Sequence, residues 1–300
     1  MKPWLTRARK RLSRVTIVVL VRCFQTLARI FPYRAAVACG SAFGWLTYHL
    51  LPRERGRALQ HLTAVFPGRG ASWAKRTGVR TFMHLGRGLM EVLAMTPSRI
   101  GKVVRIEGLE RLEEALSLGK GVVYVTGHIG NWELMAGAVA SRKMPVSVIA
   151  APIKPESVND LILELRAGLG VKTIVRSRPG AAKEMIRVFR ENRIIGILID
   201  QDTDVDGAFV DFLGKPAWTP TAAAQMAAKF GAPVMFGYIT RNSNGTHTVK
   251  IEGPLHLVQT GADAKDITDN TAMLTKKIEE AVLREPEQWV WMHRRWRRQP

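Results

Sequence analysis

Gly121-Val-Val-Tyr-Val-Thr-Gly-His-Ile-Gly-Asn-Trp-Glu133 is the stretch on which the fold turns. Val122 to Val125 reads as a strand, the small residues after it as a tight turn, and Trp132 to Ala140 as an amphipathic helix. That places His128 at the carboxyl end of a strand and Glu133 in the first turn of the next helix. Open α/β sheets gather ligands and chemistry at this edge. A histidine oriented by a carboxylate can take a proton from a hydroxyl. Gly127 and Gly130 flank the histidine, so the backbone can turn sharply and approach a substrate. The helix amino terminus adds N–H groups that favour developing negative charge. A zinc site would want a second histidine at helical spacing, and none lies nearby.

Outward from this stretch, strands and helices alternate. Val103 to Ile106, Val146 to Ala150, Lys172 to Val175 and Ile194 to Ile199 read as strands. Leu109 to Leu118, Val158 to Ala167 and Ala181 to Glu191 read as helices between them. Val234 to Thr240 and Thr246 to Ile251, separated by Asn242-Ser-Asn-Gly245, form an expected hairpin. The fold class is therefore α/β, with a mixed, mostly parallel central sheet flanked by helices. Residues 54–95 read as helices broken at Pro67 to Gly70.

The amino-terminal region differs in composition. The chain has 300 residues and a formal net charge of +20, which calls for an acidic partner. Residues 1–60 hold twelve Lys or Arg and one acid, Glu54. Residues 15–31 are apolar but interrupted by Arg22 and Arg29, which share a helical face with Gln25; this reads as an interfacial helix. Residues 35–51 carry no Lys, Arg, Asp or Glu and include the small-xxx-small pair Gly40 and Gly44. Such a stretch can dip into a bilayer, pack on a partner helix or sit in a core. We expect residues 1–52 to be a basic and apolar helical segment that associates with membrane, and residues 53–300 to form the α/β unit. A secretory signal is rejected because the run Val15 to Val21 is short and is followed by Arg22. Two cysteines, Cys23 and Cys39, argue against a disulfide scaffold.

Other side chains could carry chemistry. Arg166, at a helix end, and Arg176 and Arg178, after a strand, offer forks for phosphate or carboxylate. Asp200-Gln-Asp-Thr-Asp-Val-Asp206 has the alternating acids of a calcium loop but lacks its glycine and distal glutamate. Trp289, Trp291, His293 and Trp296 interleave with arginines and suit base stacking, a membrane interface or the core equally. No Gly-x-x-x-x-Gly-Lys-Ser/Thr or Gly-x-Ser-x-Gly motif is present.

Gly127-His-Ile-Gly-Asn-Trp-Glu133 resembles the His-x4-Asp/Glu motif of the glycerolipid acyltransferase superfamily, and its surroundings resemble the bacterial lipid A late acyltransferases, the lauroyl and myristoyl transferases. The similarity extends through Leu51-Pro-Arg-Glu-Arg55, Leu62 to Pro67, Leu85-Gly-Arg-Gly-Leu-Met-Glu91, Asp200-Gln-Asp202, Phe209 to Gly214 and Trp289-Val-Trp-Met-His-Arg-Arg-Trp296. The resemblance implies acyl transfer from acyl-acyl carrier protein to a hydroxyl of a phosphorylated lipid A precursor. It implies His128 as general base and Glu133 as the group fixing its tautomer, with no metal, cofactor or covalent intermediate. Asn131, Arg166, Arg176, Asp200 and Asp202 are the expected substrate-binding residues, with backbone N–H groups near Gly130 and Asn131 facing the oxyanion. The expected setting is the cytoplasmic face of an inner membrane, with the membrane surface rather than nucleic acid as partner. The glycerolipid block Phe-Pro-Glu-Gly-Thr is missing, which counts against glycerol phosphate as acceptor. Another phospholipid or glycolipid acceptor is the alternative, and a non-catalytic basic protein binding membrane or nucleic acid would explain the charge but not the histidine turn.

Overall fold

Val123 and Val125 point into one hydrophobic cluster and Val122 and Tyr124 into another, the period-two alternation of a strand covered on both faces. In the computed structural model, which describes Val19, Arg22, Gln25, Thr26 and residues 28–300, this strand is β2 (Val122–Thr126). It lies at the centre of a seven-stranded sheet ordered β1-β9-β8-β2-β5-β3-β4. The other strands are β1 (Val104–Glu107), β3 (Val146–Ala150), β4 (Lys172–Val175), β5 (Ile194–Leu198), β8 (Val234–Arg241) and β9 (His247–Leu255). All neighbours pair in parallel except β8 and β9, which form the expected hairpin. The expected mostly parallel sheet is therefore observed. A separate antiparallel hairpin, β6 (Gly207–Phe212) with β7 (Lys215–Pro220), was not anticipated from the sequence.

Helices cover both faces. The amino-terminal ones are α1 (Tyr33–Leu50), α2 (Pro52–Val65), α3 (Gly70–Ala94) and α4 (Pro97–Val103). Those within the α/β unit are α5 (Leu109–Ser117), α6 (Trp132–Ala140), α7 (Glu156–Gly168), α8 (Ala181–Arg190), α9 (Ala222–Phe230) and α10 (Asp263–Arg284). Leu112 of α5 and Leu134 and Ala138 of α6 join the cluster containing Tyr124. Val188 of α8, Ala223 of α9, and Leu274 and Ile278 of α10 join the one containing Val125.

Of the options open for residues 35–51, packing on a partner helix is what the structure shows. A Cβ on Gly40 would lie 2.4 Å from the Gly86 carbonyl oxygen, and one on Gly44 would lie 2.2 Å from that of Phe82. Only glycine allows α1 to approach α3 so closely. No helix among the described residues is long and apolar enough to cross a membrane. The interfacial helix expected over residues 15–31 falls largely outside the described residues, as does Cys23. Arg22, which is described, hydrogen-bonds Gln25 at 3.2 Å and pairs with Glu164. The expected unit boundary at residue 52 falls where α1 gives way to α2.

Candidate active site

Parallel register brings His128 to its partner. β2 and β5 pair with Thr126 opposite Leu198, and two residues beyond each strand end stand His128 and Asp200. The His128 Nδ1 donates to Asp200 Oδ1 at 2.7 Å, and the His128 backbone N–H to Oδ2 at 2.7 Å. The Trp289 indole Nε1 adds a third donor to Oδ2 at 2.7 Å. Asp200 is fully buried. Burial alone would raise its pKa; the imidazole, the indole and the backbone N–H outweigh that and hold the carboxyl well below the usual range. With Nδ1 donating to Asp200, the lone pair sits on Nε2, the arrangement a general base requires.

Glu133 does not take the place expected for it. Its carboxylate is held in a two-point grip by Arg166, Nε to Oε2 at 2.8 Å and Nη2 to Oε1 at 2.6 Å. The five-residue spacing sets Glu133 on the first turn of α6, facing the end of α7, while Asp200 occupies the Nδ1 side of the ring. Asp200 therefore orients the imidazole, and Glu133 fixes an arginine. Gln201, part of the Asp-Gln-Asp block but given no role from sequence, sits over the ring. Its Nε2 lies 2.9 Å from His128 Nε2 and 2.8 Å from His293 Nδ1. Burial pushes the His293 pKa down to about 3, with His128 adding to the effect.

The flanking glycines approach protein rather than open space. A Cβ on Gly127 would lie 3.0 Å from Asp200 Oδ2, and one on Gly130 would lie 1.9 Å from the Ile239 carbonyl oxygen. Gly130, at φ +63°, also requires a left-handed backbone. The Gly130 N–H donates to the Gln288 carbonyl, so it is not available to an oxyanion as expected. Behind the turn, His84 Nε2 donates to the Gly130 carbonyl at 3.1 Å. Burial, then the Arg241 charge, lowers the His84 pKa to about 3 and keeps the ring neutral.

Beside the imidazole opens a cavity of about 530 Å³, within the range of small-molecule sites. His128, Glu133, Arg166, Arg176 and Gln201 line it together with Trp132, Val139, Val148, Ile194 and Leu198. Four of the seven residues singled out from sequence thus meet at one cavity. The other three do not line it. Asn131 is buried as the amino-terminal cap of α6, accepting from Leu134 N and donating to Glu91 Oε2 at 2.9 Å and to the Gly88 carbonyl at 3.1 Å. Asp200 lies behind the imidazole. Asp202 accepts from Arg297 Nη2 at 3.1 Å and from the Arg298 N–H at 2.9 Å, tying down the carboxyl-terminal tail. Apart from the Asn131 cap on Leu134, these side chains are taken up by partners far away in sequence, which spacing does not reveal. The tryptophans resolve likewise: Trp289 and Trp291 are core, so they are unavailable for stacking on bases or lipid.

Residues 6–298 match the family model described as bacterial lipid A biosynthesis acyltransferase. The chain is 24% identical over 286 residues to the lipid A biosynthesis palmitoleoyltransferase of Escherichia coli K12, covering 90% of this chain and 87% of that protein. It is 21% identical to the lipid A biosynthesis lauroyltransferase of the same organism, covering 90% and 87%. It is also 29% identical to a phosphatidylinositol mannoside acyltransferase of Mycobacterium tuberculosis, over 50% of each chain, so the match spans about half the length of that relative.

Proposed function

The chain belongs to the bacterial lipid A biosynthesis acyltransferase family, and from that premise we propose that it moves a fatty acyl group from an acyl-acyl carrier protein thioester to a hydroxyl of a phosphorylated lipid A precursor. The observation that carries this reading is an imidazole, clamped by a buried carboxylate, opening onto a largely apolar cavity. The cavity wall of Val139, Val148, Ile194 and Leu198 suits a hydrocarbon chain, which gains about 0.8 kcal/mol for each buried methylene.

His128 Nε2 takes the proton of the acceptor hydroxyl as its oxygen attacks the thioester carbonyl. Asp200 stabilises the imidazolium that forms and keeps Nδ1 protonated throughout. The C–S bond then breaks, and the imidazolium returns its proton to the departing thiolate. Gln201 must yield Nε2 to the hydroxyl before this can begin, because its amide occupies that nitrogen. Arg166, locked by Glu133, and Arg176 set positive charge on the cavity lining, where a phosphate or the developing oxyanion gains most.

The charge of +20 supports an acidic carrier and an anionic membrane surface as partners, at the cytoplasmic face of an inner membrane. The test is acyl transfer by purified protein with acyl-carrier thioester and a lipid A precursor. His128→Ala should lower turnover about 10² to 10⁴-fold, the span of a general base, with folding intact. Undiminished turnover in a folded variant would sink the mechanism. The mycobacterial match supports a second reading, a phosphorylated glycolipid acceptor of another kind. The same assay with a phosphatidylinositol mannoside in place of the lipid A precursor separates the two.

A further inference from the structure

We infer that a basic groove between α1, α3 and the β8–β9 hairpin holds the phosphorylated headgroup of a lipid still resident in the bilayer. The groove has a volume of about 1550 Å³ and shares no lining residue with the cavity beside His128. Arg34 of α1 and Lys75, Arg76 and Arg87 of α3 all face it. Among the described residues none of these four has a carboxylate within 4.0 Å, whereas Arg80, between them, is paired with Glu287 at 3.2 Å. Arg87 Nε donates to Ser41 Oγ at 3.0 Å, but cations that line a concavity without a carboxylate partner are spare binding capacity for an anion. Arginine forks and lysine both suit phosphate oxygens.

What makes the anion a lipid is the continuation of the same wall. Helix α1 supplies Arg34 and Trp45 to the groove and then turns an uncharged face outward. Phe43, Leu46 and Leu50 are 52%, 45% and 65% exposed, and no residue from 35 to 51 carries a charged Lys, Arg, Asp or Glu side chain. Trp45, itself half exposed, stands between the two surfaces. Indole at the boundary of apolar and basic surface is the signature of a bilayer interface. A molecule that joins phosphate to acyl chains covers both surfaces at once. An acidic protein surface would meet the cations and leave the apolar face in water. The inference concerns how the protein sits on lipid, and it is read by binding alone, so its failure and the failure of acyl transfer are separate results.

The experiment is cosedimentation of the full-length protein with phosphatidylcholine vesicles, with and without phosphatidylglycerol, at fixed ionic strength. Three variants are compared: Arg34→Gln/Lys75→Gln/Arg76→Gln in the groove, Arg142→Gln/Lys183→Gln/Arg190→Gln as a charge-matched control elsewhere, and Phe43→Ser/Leu46→Ser on the apolar face. At roughly fivefold per cation near an anionic surface, the groove variant should bind phosphatidylglycerol vesicles about a hundredfold more weakly. The control should bind nearly as wild type, and the apolar-face variant should lose affinity for both vesicle types. Equal losses in groove and control variants would reduce the effect to net charge and overturn the proposal. So would unchanged vesicle binding in the groove variant, including the case where it instead loses capture by a soluble acidic acyl carrier protein. Should the triple variant fail to fold, Lys75→Gln alone is read against the fivefold expectation.

Discussion

Two fully buried carboxylates, Asp200 and Glu91, stand on opposite sides of the His128 turn, and each takes three hydrogen-bond donors. At Asp200 the donors are the imidazole, the backbone N–H of the same histidine and the Trp289 indole. At Glu91 they are Asn131 Nδ2 at 2.9 Å, Arg241 Nη2 at 2.9 Å and His247 Nε2 at 3.1 Å. The first carboxylate holds the imidazole that lines the cavity, the proposed general base. The second holds the Asn131 cap of α6 together with Arg241 and His247 of the β8–β9 hairpin. Both are fully buried, so burial alone does not distinguish a carboxylate that holds the candidate base from a structural one; the identity of the donors does.

The comparison breaks most sharply at Asp200. Asp200→Asn should lower kcat by about 10³ to 10⁴, because an amide presents a donor to Nδ1 and favours the wrong tautomer. Steady-state kinetics on folded protein checks this, and a loss under tenfold would transfer the orienting role away from Asp200. Arg166→Ala should cost about ten- to hundredfold in kcat/KM, each charge-assisted contact contributing about 1.5–3 kcal/mol. Arg166→Lys should recover only part, since lysine loses the fork that grips Glu133. Varying donor and acceptor in turn shows which substrate feels the change.

Glu91→Gln sharpens the contrast from the other side. It removes the charge facing Arg241 and His247 and should destabilise by about 3–5 kcal/mol, the cost of breaking a buried pair. Where the variant is still folded its kcat should fall far less than that of Asp200→Asn. Denaturant midpoints alongside kcat at low temperature make the distinction. The remaining test is pH. Burial, with Arg241 adding, holds His84 and His247 to about 3, against about 6.5 in an unfolded chain. The unfolded state therefore binds protons first as pH falls, so this stability is complete above about 6.5 and is lost progressively towards 3. The depressed pKa of Asp200 adds a further loss only below the usual carboxylate range. Scanning calorimetry should show a melting temperature that is level at neutral pH and declines below about 6.5; a level profile down to pH 5 would mean that the native histidines accept protons.

Most elements were legible because their signals are local. Val122 to Val125 alternates between two apolar clusters, and the helix from Trp132 to Ala140 ends where its pattern ends. The hairpin around Asn242 to Gly245 was legible for the same reason, since turn chemistry acts over four residues. The β6–β7 hairpin was not, because Gly207 to Pro220 lacks a clean alternation and carries Pro216 and Pro220 within a strand.

The sequence by itself determined an α/β chain with a histidine at a strand end, arginines that line the same cavity, and a basic amino-terminal region with an uncharged helix. Only the tertiary structure decided which carboxylate holds the imidazole. Glu133 is near in sequence, but helix geometry turns it to Arg166. Asp200 is 72 residues away from His128, yet it arrives because β5 lies beside β2 in parallel register. Strand order within a sheet is set by how the layers bury their apolar faces, a property of the whole chain that no local spacing encodes.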